Sequence, residues 1–90
     1  MKKTIITVVG HDTVGITAKV CTYLAENNIN ILDITQTIVQ EYFNMMMIVD
    51  TNKSEKSIAV LAEELNELGK EIGVIIKCQG EDIFNQMHRI

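Results

Sequence analysis

Apolar and polar positions change rhythm several times along the chain, and each change marks an element. Residues 3–9, Lys-Thr-Ile-Ile-Thr-Val-Val, are rich in β-branched side chains and run into Gly10, which predicts a strand. A polar turn bracketed by Gly10 and Gly15 follows. Ile16, Val20, Tyr23 and Leu24 then recur at helical spacing, with Asp12 or Thr13 placed to cap the first turn and Asn27-Asn28 suited to end it. From Ile29 to Gln40 the pattern alternates. Leu32, Ile34 and Ile38 are expected on one side and Asp33, Thr35 and Thr37 on the other, as in a half-buried strand. After a polar step at Gln40-Glu41, the positions Phe43, Met45, Met47 and Val49 form one apolar face, so the two strands read as a hairpin.

Past Asp50–Lys53, Ser54 or Ser57 can cap a second helix carrying Ile58, Leu61, Ala62, Leu65, Leu68 and Ile72 on one stripe and Glu63, Glu64, Glu67, Lys70 and Glu71 on the wet side. Gly69 lies inside this helix, which implies close packing or an early end there, and Gly73 is the expected stop. Val74–Cys78 is a fourth strand ended by Gly80. Glu81 and Asp82 then open a short terminal helix with Ile83, Phe84, Met87 and Ile90 as its apolar stripe. The order is β-α-β-β-α-β plus that helix. Right-handed crossovers turn it into an α/β (α+β) ferredoxin-like βαββαβ sandwich, with a four-stranded antiparallel sheet and a short C-terminal helix, expected as one domain over 1–90. The sheet face away from the helices would carry Ile5, Met46, Ile48 and Ile75, with Ile31 and Val39, among Thr7, Thr37, Asn44 and Lys77. A face that apolar is expected to meet the terminal helix or a second copy of the chain.

Composition narrows the function. Eight Lys and Arg against twelve Asp and Glu give a net charge of −4, which argues against non-specific nucleic-acid binding and against a polybasic membrane surface. No apolar run reaches the length of a membrane helix and no signal-peptide pattern is present, so a cytoplasmic location is expected. Two cysteines far apart, Cys21 and Cys78, fit neither a disulfide framework nor a C-x-x-C metal or redox site and read as buried hydrophobes. Neither a phosphate-binding loop nor a serine nucleophile elbow occurs, and no cofactor is implied. His11-Asp12 is too small a set for a metal site, which needs three or four converging ligands. A hydrolase or isomerase using that pair is the weakest functional reading.

Fold alone does not decide among the residents of this architecture. An acylphosphatase-like enzyme needs an arginine in the first turn, whereas Arg89 is the sole arginine. An RNA-binding sheet needs exposed aromatics on a basic surface, and only Tyr42 and Phe43 are on offer. A metallochaperone needs paired cysteines after the first strand. What remains is the Gly10–Gly15 turn, whose amides at a helix start suit a carboxylate or phosphate, or whose glycines serve turn geometry alone.

The segments Val8-Val9-Gly10-His11-Asp12-Thr13-Val14-Gly15-Ile16, Asn28–Ile34 and Phe43–Asp50, in this order, resemble the first strand and turn, the start of the second strand and the third strand of ACT domains. The tail Asn85–Ile90 looks like that of small stand-alone members of that family. The resemblance implies a non-catalytic regulatory protein that senses a small molecule, most often an amino acid, at a homodimer interface. A ligand-independent module that docks on a metabolic enzyme or regulator is the alternative. By position, Gly10, His11, Asp12, Gly15 and Ile16 would form the ligand turn: Asp12 would orient the turn or meet an ammonium, Gly15 would permit close approach, and the Ile16 N–H would hold a carboxylate. Asn30 and Ile31 of a neighbouring copy would complete the pocket. Val14 stands where the family often has proline.

Overall fold

A computed structural model describes residues 3–11 and 14–82. Strands β1 (Lys3–His11), β2 (Asn30–Val39), β3 (Tyr42–Asp50) and β4 (Val74–Gly80) alternate with helices α1 (Ile16–Glu26) and α2 (Ile58–Ile72) in the expected order. The sheet order is β2-β3-β1-β4 and every neighbouring pair is antiparallel, as the ferredoxin-like topology requires. The molecule measures 35 × 35 × 20 Å; its short dimension is one sheet plus one layer of helices.

The core lies between these layers. Phe43, Met45, Met47 and Val49 of β3 are all buried, as the strict alternation of that strand requires. Ile6 and Val8 of β1 and Val74, Ile76 and Cys78 of β4 extend the same apolar surface. Ile16, Val20 and Leu24 of α1 and Leu61 and Leu65 of α2 close over it. Ser57 caps α2 by accepting the Val60 N–H, and Gly73 ends it with φ 79°. Gly69 marks close packing rather than an early end, since α2 runs on to Ile72. Asn28, at φ 57°, carries the left-handed step after α1. Glu81 and Asp82 are helical; the rest of the expected terminal helix, residues 83–90, lies outside the described residues.

Three expectations need correcting. First, β2 is not half-buried: residues 32–39 are all exposed, because β2 is the outer strand and the helices cover its neighbours instead. Second, the register shifts between Ile31 and Asp33, so Leu32 falls out of step with Ile34 and Ile38. The same shift puts Ile31 opposite Val49, on the helix side, where it packs against the core rather than on the outer face. Third, of the two free cysteines only Cys78 is buried; Cys21 is half-buried. The backbone of α1 starts from Gly15; Asp12 and Thr13, the expected side-chain caps, lie outside the described residues. On the outer sheet face Ile5 is buried and Ile48 half-buried, which leaves Val9, Met46, Ile75 and Val39 exposed.

Candidate functional site

The strand-to-helix turn is built from constraints that can be named one by one. Gly10 pairs with Phe43 on one side and Val74 on the other. A Cβ at Gly10 would stand 2.8 Å from Val74 Cγ1, so this glycine lets β4 approach. β1 continues one residue further than the glycine suggests, to His11, whose exposed ring lies 5.0 Å from that of Tyr42, tilted by 36°. The two residues share a rung of the β1–β3 ladder. Asp12 and Thr13 lie outside the described residues. Val14 is fully exposed. Gly15 adopts φ 91° and ψ 2° as the N-cap of α1, a left-handed geometry that costs an L-residue strain. No described atom lies within 4 Å of where its Cβ would point.

Among the described residues, no side chain caps the start of α1. The first amides of a helix have no partner within it, and they carry the positive end of its dipole. Gly15 supplies no side-chain acceptor, and no acidic residue sits in the first turn. Ile16 is meanwhile anchored in the core at 2% exposure, which fixes its main chain. Beside it, the Thr17 hydroxyl donates to Gln36 Oε1 of β2 at 3.3 Å. The chemistry on offer is hydrogen bonding to an anion.

Asn30 and Ile31 do not join this turn within one chain. β1 and β2 are both antiparallel to β3, so they run in the same direction. Asn30 shares the rung of Asp50 and Lys3, whereas Gly10 shares that of Phe43 and Ile38. From Lys3 to Gly10 is about 23 Å along the strand at 3.3 Å per residue. Asn30 is exposed at the far end, and Ile31 is half-buried. Tyr42, Thr17 and Gln36 border the turn without having been singled out in sequence. Tyr42 follows from strand pairing; the Thr17–Gln36 contact depends on where α1 crosses the sheet, which no local pattern carries.

Two hollows lie elsewhere. One of about 390 Å³ runs along the outer side of α2 past Glu63, Glu64, Glu67 and Glu71, a surface unsuited to an anion. Another, of about 340 Å³, lies against α1 at Lys19, Thr22, Tyr23 and Glu26. Among the described residues no three His, Cys, Asp or Glu side chains converge, and no helix is long and apolar enough to cross a membrane.

Comparison with known proteins places this geometry. The family model described as "ACT domain" matches residues 2–79. A UPF0237 protein of Bifidobacterium longum is 59% identical over 90 residues, covering all of both chains. One from Clostridium acetobutylicum is 56% identical over 88 residues, 98% of this chain and 99% of that one. Among solved structures, an ACT domain protein from Streptococcus pneumoniae superposes with a TM-score of 0.82 at 41% identity, covering 92% and 93% of the two chains. The regulatory subunit of aspartate kinase from Thermus thermophilus, solved ligand-free, gives 0.65 at 28% identity over 87% of this chain and 50% of that one. A formyltetrahydrofolate deformylase from Pseudomonas syringae gives 0.82 at 20% identity over 89% of this chain and 28% of that one, a likeness of fold. From its sequence, its strand order and these matches, the chain belongs to the ACT domain family.

Proposed function

We propose that this ACT domain is a non-catalytic, cytoplasmic regulatory sensor that binds an amino acid between two copies of itself. The observation that carries the reading is the start of α1 at the left-handed Gly15, which no side chain caps among the described residues. Its amides suit the carboxylate of an α-amino acid. Asp12 is assigned to the ammonium or to the turn itself, as the family resemblance implies. Gly15 lets the main chain come close, and Ile16 holds its own N–H in place. Because Asn30 and Ile31 stand at the other end of the sheet, their role in this pocket is in trans, which is why the reading includes a homodimer.

Calorimetric titration of the twenty amino acids, at up to millimolar concentration, tests it. At least one is expected to bind, and Asn30→Ala is expected to weaken that binding tenfold or more without moving the thermal midpoint. If none binds the wild-type protein, the sensor reading is overturned. A second reading, a ligand-independent module docking on a metabolic enzyme or regulator, draws on the exposed Val9, Met46 and Ile75 of the outer sheet face. Capture of one defined enzyme by ligand-free protein, lost in Ile75→Lys, would favour it.

A further inference from the structure

The outer face of the sheet is sealed at one end and open at the other. Residues directly opposite in paired strands share a face. Ile5, Ile48 and Gln79 therefore form one outward rung, Thr7, Met46 and Lys77 the next, and Val9, Asn44 and Ile75 the one beyond. Along β1 the exposure climbs from rung to rung: Ile5 is 7% exposed, Thr7 is half-buried and Val9 is 45% exposed. The neighbouring strands repeat the gradient. Ile48 is half-buried where Met46 is 41% exposed, and Gln79 is half-buried where Ile75 is 63% exposed. A bare sheet face leaves its side chains open, as it leaves Val9. Ile5 has the burial of a core residue on the side away from the core.

The described elements do not supply that seal. Helices α1 and α2 pack on the other face, over Ile6, Val8 and Ile76. The connection after β3 leads to α2, and its Thr51 hydroxyl meets that of Thr4, on the helix side, at 3.4 Å. A second copy is not needed either, because Ile5 is buried within a single chain. Outside the described residues, 1–2 are too few to double back from the start of β1, since a reversal takes about four residues. Residues 12–13 follow His11, at the opposite end of the strand. Residues 83–90 remain. β4 ends at Gly80 on the rung of Thr4, one residue from Ile5, and Glu81 and Asp82 after it are already helical. We propose that residues 83–90 carry this helix across the outer face, and that the rung of Ile5 and Ile48 is the docking site for their apolar stripe.

The burial gradient sets the direction. A segment folded back along β4 would shield Ile75 and Val9, which are open, whereas a segment crossing the strands covers one rung on β4, β1 and β3 together. The dimensions agree. At 1.5 Å per residue, Phe84 and Met87 lie about 6 and 10 Å beyond Gly80. At the spacing of paired strands, β1 and β3 lie about 5 and 10 Å from β4. Phe84 thus comes over Ile5 and Met87 over Ile48, on the helix face they share with Ile83 and Ile90. The docking divides the outer face between two uses and goes beyond the sensor reading. The Gly80 end is closed by the chain itself. Val9, Met46 and Ile75 stay free at the far end, for any partner of the ligand-independent reading.

Methyl NOE spectroscopy on the full wild-type chain tests the site. The δ1 methyls of Ile5 and Ile48 are expected to show contacts to the Phe84 ring and the Met87 methyl. In a mixture of labelled and unlabelled protein, an isotope filter that passes only contacts between copies is expected to remove them all. Contacts that survive the filter give the cover to a second copy and overturn the proposal; so does the absence of any contact from these methyls to residues 83–90. Urea unfolding of a double-mutant cycle supplies an independent reading. Ile5→Ala and Phe84→Ala are each expected to raise the unfolding constant. The double variant is expected to fall short of the product of the two effects by about threefold or more, because the second truncation removes a contact already lost. Effects that simply multiply, or a Phe84→Ala protein as stable as wild type, overturn the proposal. Where Ile5→Ala does not fold, the wild-type contacts decide alone.

Discussion

Gly69 shows how much a single missing methyl group decides. In mid-helix a glycine costs α2 about 1 kcal/mol relative to alanine. Here a Cβ would lie 2.6 Å from the Val74 carbonyl oxygen and 3.2 Å from Ile76 Cγ1. The nearer atom is backbone of the adjoining strand, which cannot step aside as a side-chain tip does. Gly69→Ala is therefore expected to destabilise by about 1–3 kcal/mol despite its better helix propensity; an unchanged or raised urea midpoint would refute the contact. The Glu64 carboxylate offers a second residue-scale test. It accepts from Lys56 Nζ and from the Tyr23 hydroxyl, each at 2.7 Å, and so joins α1 to the start of α2. Lys56 first, and Tyr23 second, hold its pKa below the ordinary value against a smaller opposing effect of burial. Burial first, then Glu64, holds the Tyr23 phenol above its own. Carboxyl NMR titration is expected to show the Glu64 pKa rising in Tyr23→Phe and rising further in Lys56→Met. The reverse ranking would show that the lysine is not the main partner.

Among the elements, β2 and β3 both alternate along their length but have different duties. β3 is legible in the sequence because it is central: every second residue from Phe43 to Val49 is buried, and Met45, Met47 and Val49 have no other place to go. β2 also alternates, yet periodicity reports only which residues share a side, not whether anything covers that side. Which strand becomes the edge depends on the crossovers and on where α1 and α2 settle, and the bulge at Leu32 adds a register step that no pattern announces. The candidate turn divides in the same way. Gly10 and Gly15 were readable as a turn, but only strand pairing shows that Gly10 makes room for Val74 while Gly15 opens the helix start. The separation of Asn30 from that turn follows from the parallel run of β1 and β2, a property of the whole sheet. The contrast in duty is measurable. Met47→Ala empties a fully buried site and is expected to cost about 2–5 kcal/mol. Ile38→Thr on exposed β2 is expected to change protomer stability by less than about 0.5 kcal/mol. A large loss of protomer stability from Ile38→Thr would mean that α1 covers more of β2 than the structure shows.

For the molecule as a whole, the two layers leave one thiol where solvent cannot stabilise its charge. Cys78 is 9% exposed, under the helices, and burial pushes its pKa from the ordinary 9.0 up to about 11. Because the folded value is raised, the protonated thiol favours the folded state. The contribution is complete below pH 9 and is lost as pH climbs toward 11, where the unfolded chain releases its proton while the native state still holds it. Two pH decades of this kind correspond to at most about 2–3 kcal/mol. Tyr23 has the same sign, but its loss begins only above pH 10, where an unfolded tyrosine ionises. Urea midpoints between pH 8 and 11 are thus expected to fall in two overlapping steps. In Cys78→Ala the protein starts less stable, because a core atom is gone, and the fall between pH 9 and 10 flattens while the later tyrosine-linked fall remains. Alkylation provides a second reading of the same burial: at pH 8 in native protein, half-buried Cys21 is expected to react with iodoacetamide well before Cys78. If the pH slope between 9 and 10 persists unchanged in Cys78→Ala, the alkaline loss belongs to other groups and the sealed position of this thiol between sheet and helices has no energetic consequence.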